Sequence, residues 1–380
     1  MENKSTERSA AERRAIREKI RRKKQMQRRR KMIRLGVYAA AFVVVLVFLI
    51  KGVILPLVNR IGADGSEAAV VQAVVAERDP NIAVRQPLKG SGDKDKLGVL
   101  TPGWHVDDNG TWYRNSDGTY YADGFKDIDG YTYSFDENGY LQTGWVTKGV
   151  KDYYFNSDGS YNPDMKKPML ALTFDDGPGE YTDELLDCLE ENGAHATFFM
   201  LGQNVEIYPD IPKRMLEIGC EVGSHSWNHP DLMTISLDEV ASQFEKTDNA
   251  LIEACGQAAT VARAPYGSSD QSIYDTVGKP FFMWSLDSLD WSYRNVQMDI
   301  DAVINGDLSD GSVILMHDIH EESVQAAIQM IPDLIEQGYK LVTLSEMAEA
   351  KDVTLQNARY SDFWDSSLAA GSVAGYEPQE

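Results

Sequence analysis

Between residue 167 and about residue 350 of this 380-residue chain, short apolar runs alternate with amphipathic ones, and that alternation restricts the fold more than any other feature. The apolar runs 169–174, 196–200, 221–224, 260–263, 281–284, 313–316 and 340–343 have the length of strands. The stretches between them, among them 181–191, 237–254 and 322–337, carry helical periodicity. Such alternation predicts an α/β fold with parallel strands, built either as an open sheet or as a barrel.

Polar residues collect where these strands end, which is where α/β folds assemble their sites. Thr173-Phe174-Asp175-Asp176-Gly177-Pro178 closes the first strand with two carboxylates. The pleat sends neighbours in different directions, so one Asp can reach a metal while the other faces a substrate. Alone, Asp-Asp-Gly-Pro reads as a polar turn. His225-Ser226-Trp227-Asn228-His229-Pro230 carries two of the chain's 6 histidines, spaced to share one face of a helical turn. Two imidazoles and a carboxylate leave coordination positions open, as catalytic zinc sites do, although non-haem iron uses the same set. Arg263-Ala264-Pro265-Tyr266-Gly267, Asp287-Ser288-Leu289-Asp290-Trp291 and Leu315-Met316-His317-Asp318 follow three later strands. Each alone would pass for a surface arginine, a loop carboxylate or a core histidine.

In this order and combination the five segments resemble the NodB-type polysaccharide deacetylases, carbohydrate esterase family four, over roughly half the chain. The resemblance implies a distorted (β/α) barrel with fewer regular strands than a full one. It implies Asp176, His225 and His229 as ligands of one divalent ion, zinc first, with cobalt, nickel, manganese or iron as alternatives. It further implies Asp175 as general base paired with Arg263, the Tyr266 backbone N–H in an oxyanion hole, and His317 as general acid held by Asp290. Trp291 and Leu315 would enclose the acetyl methyl. Ala264 stands where the family often has a second proline and Ala262 precedes the arginine, but neither change removes a functional group. The expected activity is removal of N-acetyl groups from an acetylated cell-wall glycan, peptidoglycan N-acetylglucosamine first. Acetyl-xylan, chitin and poly-N-acetylglucosamine are the alternative polymers, and a non-catalytic wall-binding surface protein is the reading from a different class.

Upstream, the chain divides sharply by charge. Residues 1–34 carry 15 Lys+Arg against 4 Glu, while the whole chain has a net charge of −22. An apolar run over 35–50 follows and, as helix, would extend about 24 Å. A basic arm directly before the one membrane-length stretch predicts an uncleaved anchor over 35–58 with its N-terminus cytoplasmic, rather than nucleic-acid binding or a cleaved signal peptide. Everything after it would be extracellular, as at a Gram-positive-type cell surface, with the membrane as a partner. A linker is expected over 59–101.

Over 102–163 the sequence repeats. Trp104, Phe125 and Trp145 lead three units, followed at fixed spacing by Trp112, Tyr133 and Tyr153, and then by Asp117-Gly118, Asn138-Gly139 and Asp158-Gly159. Turn pairs between aromatic segments predict a small all-β module of stacked hairpins. The stretch 102–161 resembles the cell-wall-binding repeats of choline- and glucan-binding proteins, which implies a cell-wall polymer, choline or glucan, as partner. The alternative is that the aromatics form the hairpin core and the module is a spacer. The catalytic domain is expected over 164–351, with a tail over 352–380. Cys188, Cys220 and Cys255 cannot all pair, lack metal-binding spacing, and read as core residues.

Overall fold

In the computed structural model of the protein, residues 101–363 are described; the basic segment, the expected anchor, nearly all of the linker and the last part of the tail lie outside them. No helix among the described residues is long and apolar enough to cross a membrane.

The repeats form three antiparallel units. The first is β1 (Gly103–Asp107) with β2 (Gly110–Arg114), the second β3 (Gly124–Ile128), β4 (Tyr131–Phe135) and β5 (Leu141–Gln142). The third is β6 (Gly144–Lys148), β7 (Lys151–Phe155) and β8 (Tyr161–Asn162). In Asn138-Gly139 the glycine has φ of 88°, and a Cβ there would meet the Tyr121 carbonyl at 2.9 Å, so the turn admits no side chain. The units stack through their leading aromatics. Trp104 meets Tyr133 of the next unit edge-on at 4.8 Å, and Phe125 meets Tyr153 in the same way at 4.8 Å. Two of the three leading aromatics are thus consumed between hairpins, whereas Trp145 remains 40% exposed.

Nine short strands make a fourth sheet: β9 (Met169–Asp175), β10 (Thr197–Met200), β11 (Glu221–Ser224), β12 (Val261–Ala262), β13 (Phe281–Phe282), β14 (Leu286–Asp287), β15 (Ser312–His317), β16 (Lys340–Leu341) and β17 (Arg359–Tyr360). Their order is β14-β15-β9-β10-β11-β12-β13-β17, with β16 also on β9, and every pairing is parallel. β13 ends at Phe282 and β14 begins at Leu286, yet they stand near opposite ends of this order. A connection that short spans at most about 14 Å. The sheet must therefore curl, and the fold is an α/β half-barrel of parallel strands.

Period-two alternation along β9 decides what faces the interior of that curl. Leu170, Leu172 and Phe174 pack outward with Leu185, Leu189, Met330 and Leu334 of the surrounding helices. Ala171 packs on the other side with Phe199, Phe282 and Val313. Thr173 and Asp175 share that inner side. The half-barrel unit extends beyond 351. β17 pairs with β13, and Tyr360 and Phe363 stack on Phe282 at 5.2 and 5.8 Å, covering an aromatic edge that would otherwise meet water. Cys188 and Cys220 are buried, Cys255 is partly so, and all three are free.

Candidate active site

The functional side chains sit on the rim formed by the C-terminal ends of β9, β11, β12, β14 and β15. Asp175 is the last residue of β9 and His317 the last of β15, and the two are direct register partners. Asp176 turns out of the sheet with φ of 70°. Its backbone is pinned on both sides, since Asp176 N donates to Phe199 O at 3.1 Å and Asn204 Nδ2 donates to Asp176 O at 2.7 Å.

His225 and His229 do not lie on a helical turn. They flank a loop after β11 in which Ser226 and His229 both have positive φ, 69° and 64°. Gln243, in the helix Leu237–Cys255, clamps this loop: its Oε1 accepts from Trp227 N and Asn228 N, and its Nε2 donates to Asn228 Oδ1. His225 Nδ1 donates to Arg263 O at 2.8 Å, which aims Nε2 at the carboxylates. Burial pushes the His225 pKa down to about 3, so the ring stays neutral and able to ligate.

Asp176 Oδ1 stands 3.8 Å from His225 Nε2 and 3.7 Å from His229 Nε2. These separations are too long for hydrogen bonds, and Asp176 Oδ1 is buried with no hydrogen-bond partner. Donors sharing a tetrahedral zinc-type cation lie roughly 3.4 Å apart. Asp176, His225 and His229 therefore fit a single metal ion, and they form a cluster whose ligand atoms all lie within 4.8 Å of one another.

Asp175 points into the same space, its Oδ2 3.6 Å from His225 Nε2. Its other oxygen accepts from Arg263 Nη1 at 2.8 Å. Arg263 is wholly buried, with Nε on Phe282 O at 2.8 Å, Nη2 on Met283 O at 2.7 Å and a second Nη1 contact to Thr173 Oγ1. Burial raises the Asp175 pKa while Arg263 pulls against it, leaving a carboxylate more basic than an exposed one and held in one orientation.

His317 Nδ1 donates to Asp290 Oδ1 at 2.8 Å and His317 N to Asp290 Oδ2 at 2.7 Å. Its Nε2 is left for the site. Burial lowers the His317 pKa, but the Asp290 hydrogen bond and charge more than reverse this and lift it to about 9. Trp291, 51% exposed, follows Asp290 at the mouth, whereas Leu315 is buried on the inner side of β15, two residues before His317. Tyr266 has φ of 59°, is 71% exposed, and lays its ring against His229 at 4.5 Å.

A family model described as Polysaccharide deacetylase matches residues 162–279. A peptidoglycan-N-acetylglucosamine deacetylase of Bacillus cereus is 38% identical over 190 residues, covering 48% of this chain and 68% of the relative. The chain belongs to the polysaccharide deacetylase family. Among other relatives, the peptidoglycan-N-acetylmuramic acid deacetylase PdaC of Bacillus subtilis is 41% identical over 184 residues, 48% of this chain and 39% of that one. The peptidoglycan-N-acetylglucosamine deacetylase PgdA of Listeria monocytogenes is 41% identical over 201 residues, 52% of this chain and 42% of that one. The chain thus spans less than half the length of these two family members.

Sequence reasoning did not single out Asn204, Gln243 or the role of Asp318. Asp318 is wholly buried behind the polysaccharide deacetylase Asp-Asp-Gly-Pro turn, where it accepts a hydrogen bond from Thr182 Oγ1, whose oxygen in turn accepts from Gly179 N at 2.7 Å. Its place directly after His317 was the one available signal.

Proposed function

We propose that the chain is a metal-dependent N-deacetylase of cell-wall polysaccharide, with peptidoglycan N-acetylglucosamine as the first-choice substrate and zinc as the first-choice ion. The observation that carries this reading is the convergence of Asp176 Oδ1 with two imidazole Nε2 atoms, while Asp175 and His317 stand in register beside them. In this reading Asp176, His225 and His229 hold the ion. A divalent cation bound there would polarise the acetyl carbonyl and acidify a water.

The chain's own groups do the rest. Asp175 Oδ2 takes the proton of the attacking water, with Arg263 keeping the carboxylate aimed. The Tyr266 backbone N–H supports the developing oxyanion, helped by the left-handed turn of that residue. His317 Nε2 gives its proton to the departing sugar nitrogen, which would otherwise be too poor a leaving group, and Asp290 keeps that proton available. Trp291 and Leu315 enclose the acetyl methyl and limit the pocket to a small acyl group.

The anchor over 35–58 would place this domain outside the membrane, and the hairpins over 102–161 would rest on a wall polymer such as choline-bearing or glucan chains. The exposed Trp145 supports the second point. Acetate release from purified peptidoglycan, chitin and acetyl-xylan, with and without chelator, tests the activity and ranks the polymers. The expected result is chelator-sensitive release from peptidoglycan, restored by a divalent ion. No acetate from any of the three with metal restored removes the enzymatic reading and leaves a surface-binding protein.

A further inference from the structure

Away from the rim that carries Asp175 and His317, a cleft of about 550 Å³ lies where the third hairpin unit meets the half-barrel. Tyr153 of β7 and Tyr161 of β8 line it, as do Lys351 and Asp352 behind the helix Leu344–Ala350. Lys166 and Lys167 reach it from the segment that joins the two parts. Met169, which opens β9, and Asp310, which precedes β15, also line it, so it sits at the N-terminal ends of the parallel strands, opposite the rim. Its volume falls within the roughly 300–1,000 Å³ of small-ligand sites. The carboxylates that line it are already matched. Asp352 Oδ1 holds Lys151 Nζ at 2.6 Å, Asp310 Oδ2 holds Lys351 Nζ at 2.8 Å, and Asp152 Oδ2 holds Lys340 Nζ at 2.9 Å. Lys166 and Lys167 are left over, with no ion pair or hydrogen bond among the described residues. Lys167 is moreover half-buried, a placement in which an ammonium ordinarily has a counter-charge. The hydroxyls of Tyr153 and Tyr161 donate to no described group either. In a chain of net charge −22, this one recess offers positive charge and spare donors.

We propose that this cleft binds a phosphodiester-linked sugar or polyol chain, with its phosphates on Lys166 and Lys167 and its carbon skeleton against Tyr161 and Met165. A phosphodiester stays ionised at every physiological pH and its free oxygens only accept hydrogen bonds, which is the complement of a recess whose uncommitted polar groups all donate. Four lysines and no arginine line the cleft. An ammonium is a compact point charge that suits a phosphate from any direction, whereas planar carboxylates are best engaged by the guanidinium fork. Tyr161 is half-buried and Met165 is 43% exposed, so both leave apolar surface for the CH groups between successive phosphates. A choline headgroup, which the hairpin sequence brings to mind, is a cation and would be repelled here. The site lies at the far end of the strands from Asp176, His225 and His229, so this inference stands apart from the deacetylase reading and concerns what the chain holds rather than what it cleaves.

The test titrates the full chain, held in detergent, with three probes of equal length: a glycerol-phosphate hexamer, a galacturonic acid hexamer whose charges are carboxylates, and a neutral N-acetylglucosamine hexamer. Calorimetry should show the glycerol-phosphate hexamer binding about tenfold or more tightly than either other probe, with an affinity that falls as salt is added. Replacing both lysines, Lys166→Gln with Lys167→Gln, should weaken that binding by about tenfold or more at an unchanged melting temperature. Lys166→Arg with Lys167→Arg keeps the charge and should keep most of the affinity. Loss of binding in the glutamine pair alone therefore reports charge and not a disturbed fold. No binding of the glycerol-phosphate hexamer by wild type, or equal binding by wild type and the glutamine pair, overturns the inference. Galacturonic acid hexamer bound as tightly as the phosphodiester overturns the assignment to phosphate.

Discussion

At the scale of the residue, the site separates groups that would hold an ion from groups that move protons, and this separation can be tested. His225→Ala should lose the metal together with activity. His317→Ala and Asp175→Ala should keep the metal while turnover falls by about 10²–10⁴. Metal content measured beside acetate release distinguishes the two classes, and near-normal turnover in either of the latter variants contradicts the roles assigned. The pH profile carries a second prediction. In the proposed mechanism His317 acts only while protonated, so with its pKa lifted to about 9 the rate should hold through neutral pH and fall as pH rises past that value. Asp290→Asn removes the hydrogen-bonded charge that lifts it most, leaving burial opposed by the more distant Asp175 and Asp176 charges. The alkaline limb should then move to lower pH. An unmoved limb means that another group controls it.

At the scale of the element, the turn after β9 is packed against the turn after β15 so closely that no methyl group fits between them. A Cβ on Gly177 would meet Asp318 Oδ1 at 2.3 Å, and Asp318 cannot retreat because it is wholly buried and tied to Thr182. Gly177→Ala should cost about 1–3 kcal/mol of stability, read as a lower urea midpoint, and should loosen Asp176 beside it. A midpoint equal to wild type would show that the turn has slack. These elements were unequally legible in the sequence. β9, β11 and β15 are legible as short runs ending in polar residues; Asp175 and His317 close β9 and β15, and His225 directly follows β11. β14 and β17, with 2 residues each, are too short to show a period, and Arg359–Tyr360 is a strand only by virtue of its pairing with β13. The histidine pair had the spacing of a helical turn, but positive φ at Ser226 and His229 takes the loop out of helical space. Gln243 and Asn204 looked like ordinary polar positions in amphipathic helices, because what they hold lies far away along the chain.

At the scale of the whole molecule, charge should shape turnover. The chain carries a net −22, and each turnover of the proposed reaction leaves a glycan bearing a free amine. Deacetylated oligomer should therefore inhibit at low ionic strength and release its hold as salt is added. Inhibition independent of salt, or none at all, would remove charge as the cause. The hairpins are also attached to the catalytic unit by charge, with Lys340 Nζ on Asp152 Oδ2 at 2.9 Å and on Val150 O at 3.0 Å. The half-barrel itself is joined by a shorter tie. The few residues from Phe282 to Leu286 carry the backbone across the seam, and Arg263 grips the carbonyls of Phe282 and Met283 there with the same fork that steadies Asp175. The seam is thus a short tie knotted, through Arg263, to Asp175. An added residue there would put slack beside Asp175, so this connection should tolerate insertion less well than the outer ones do.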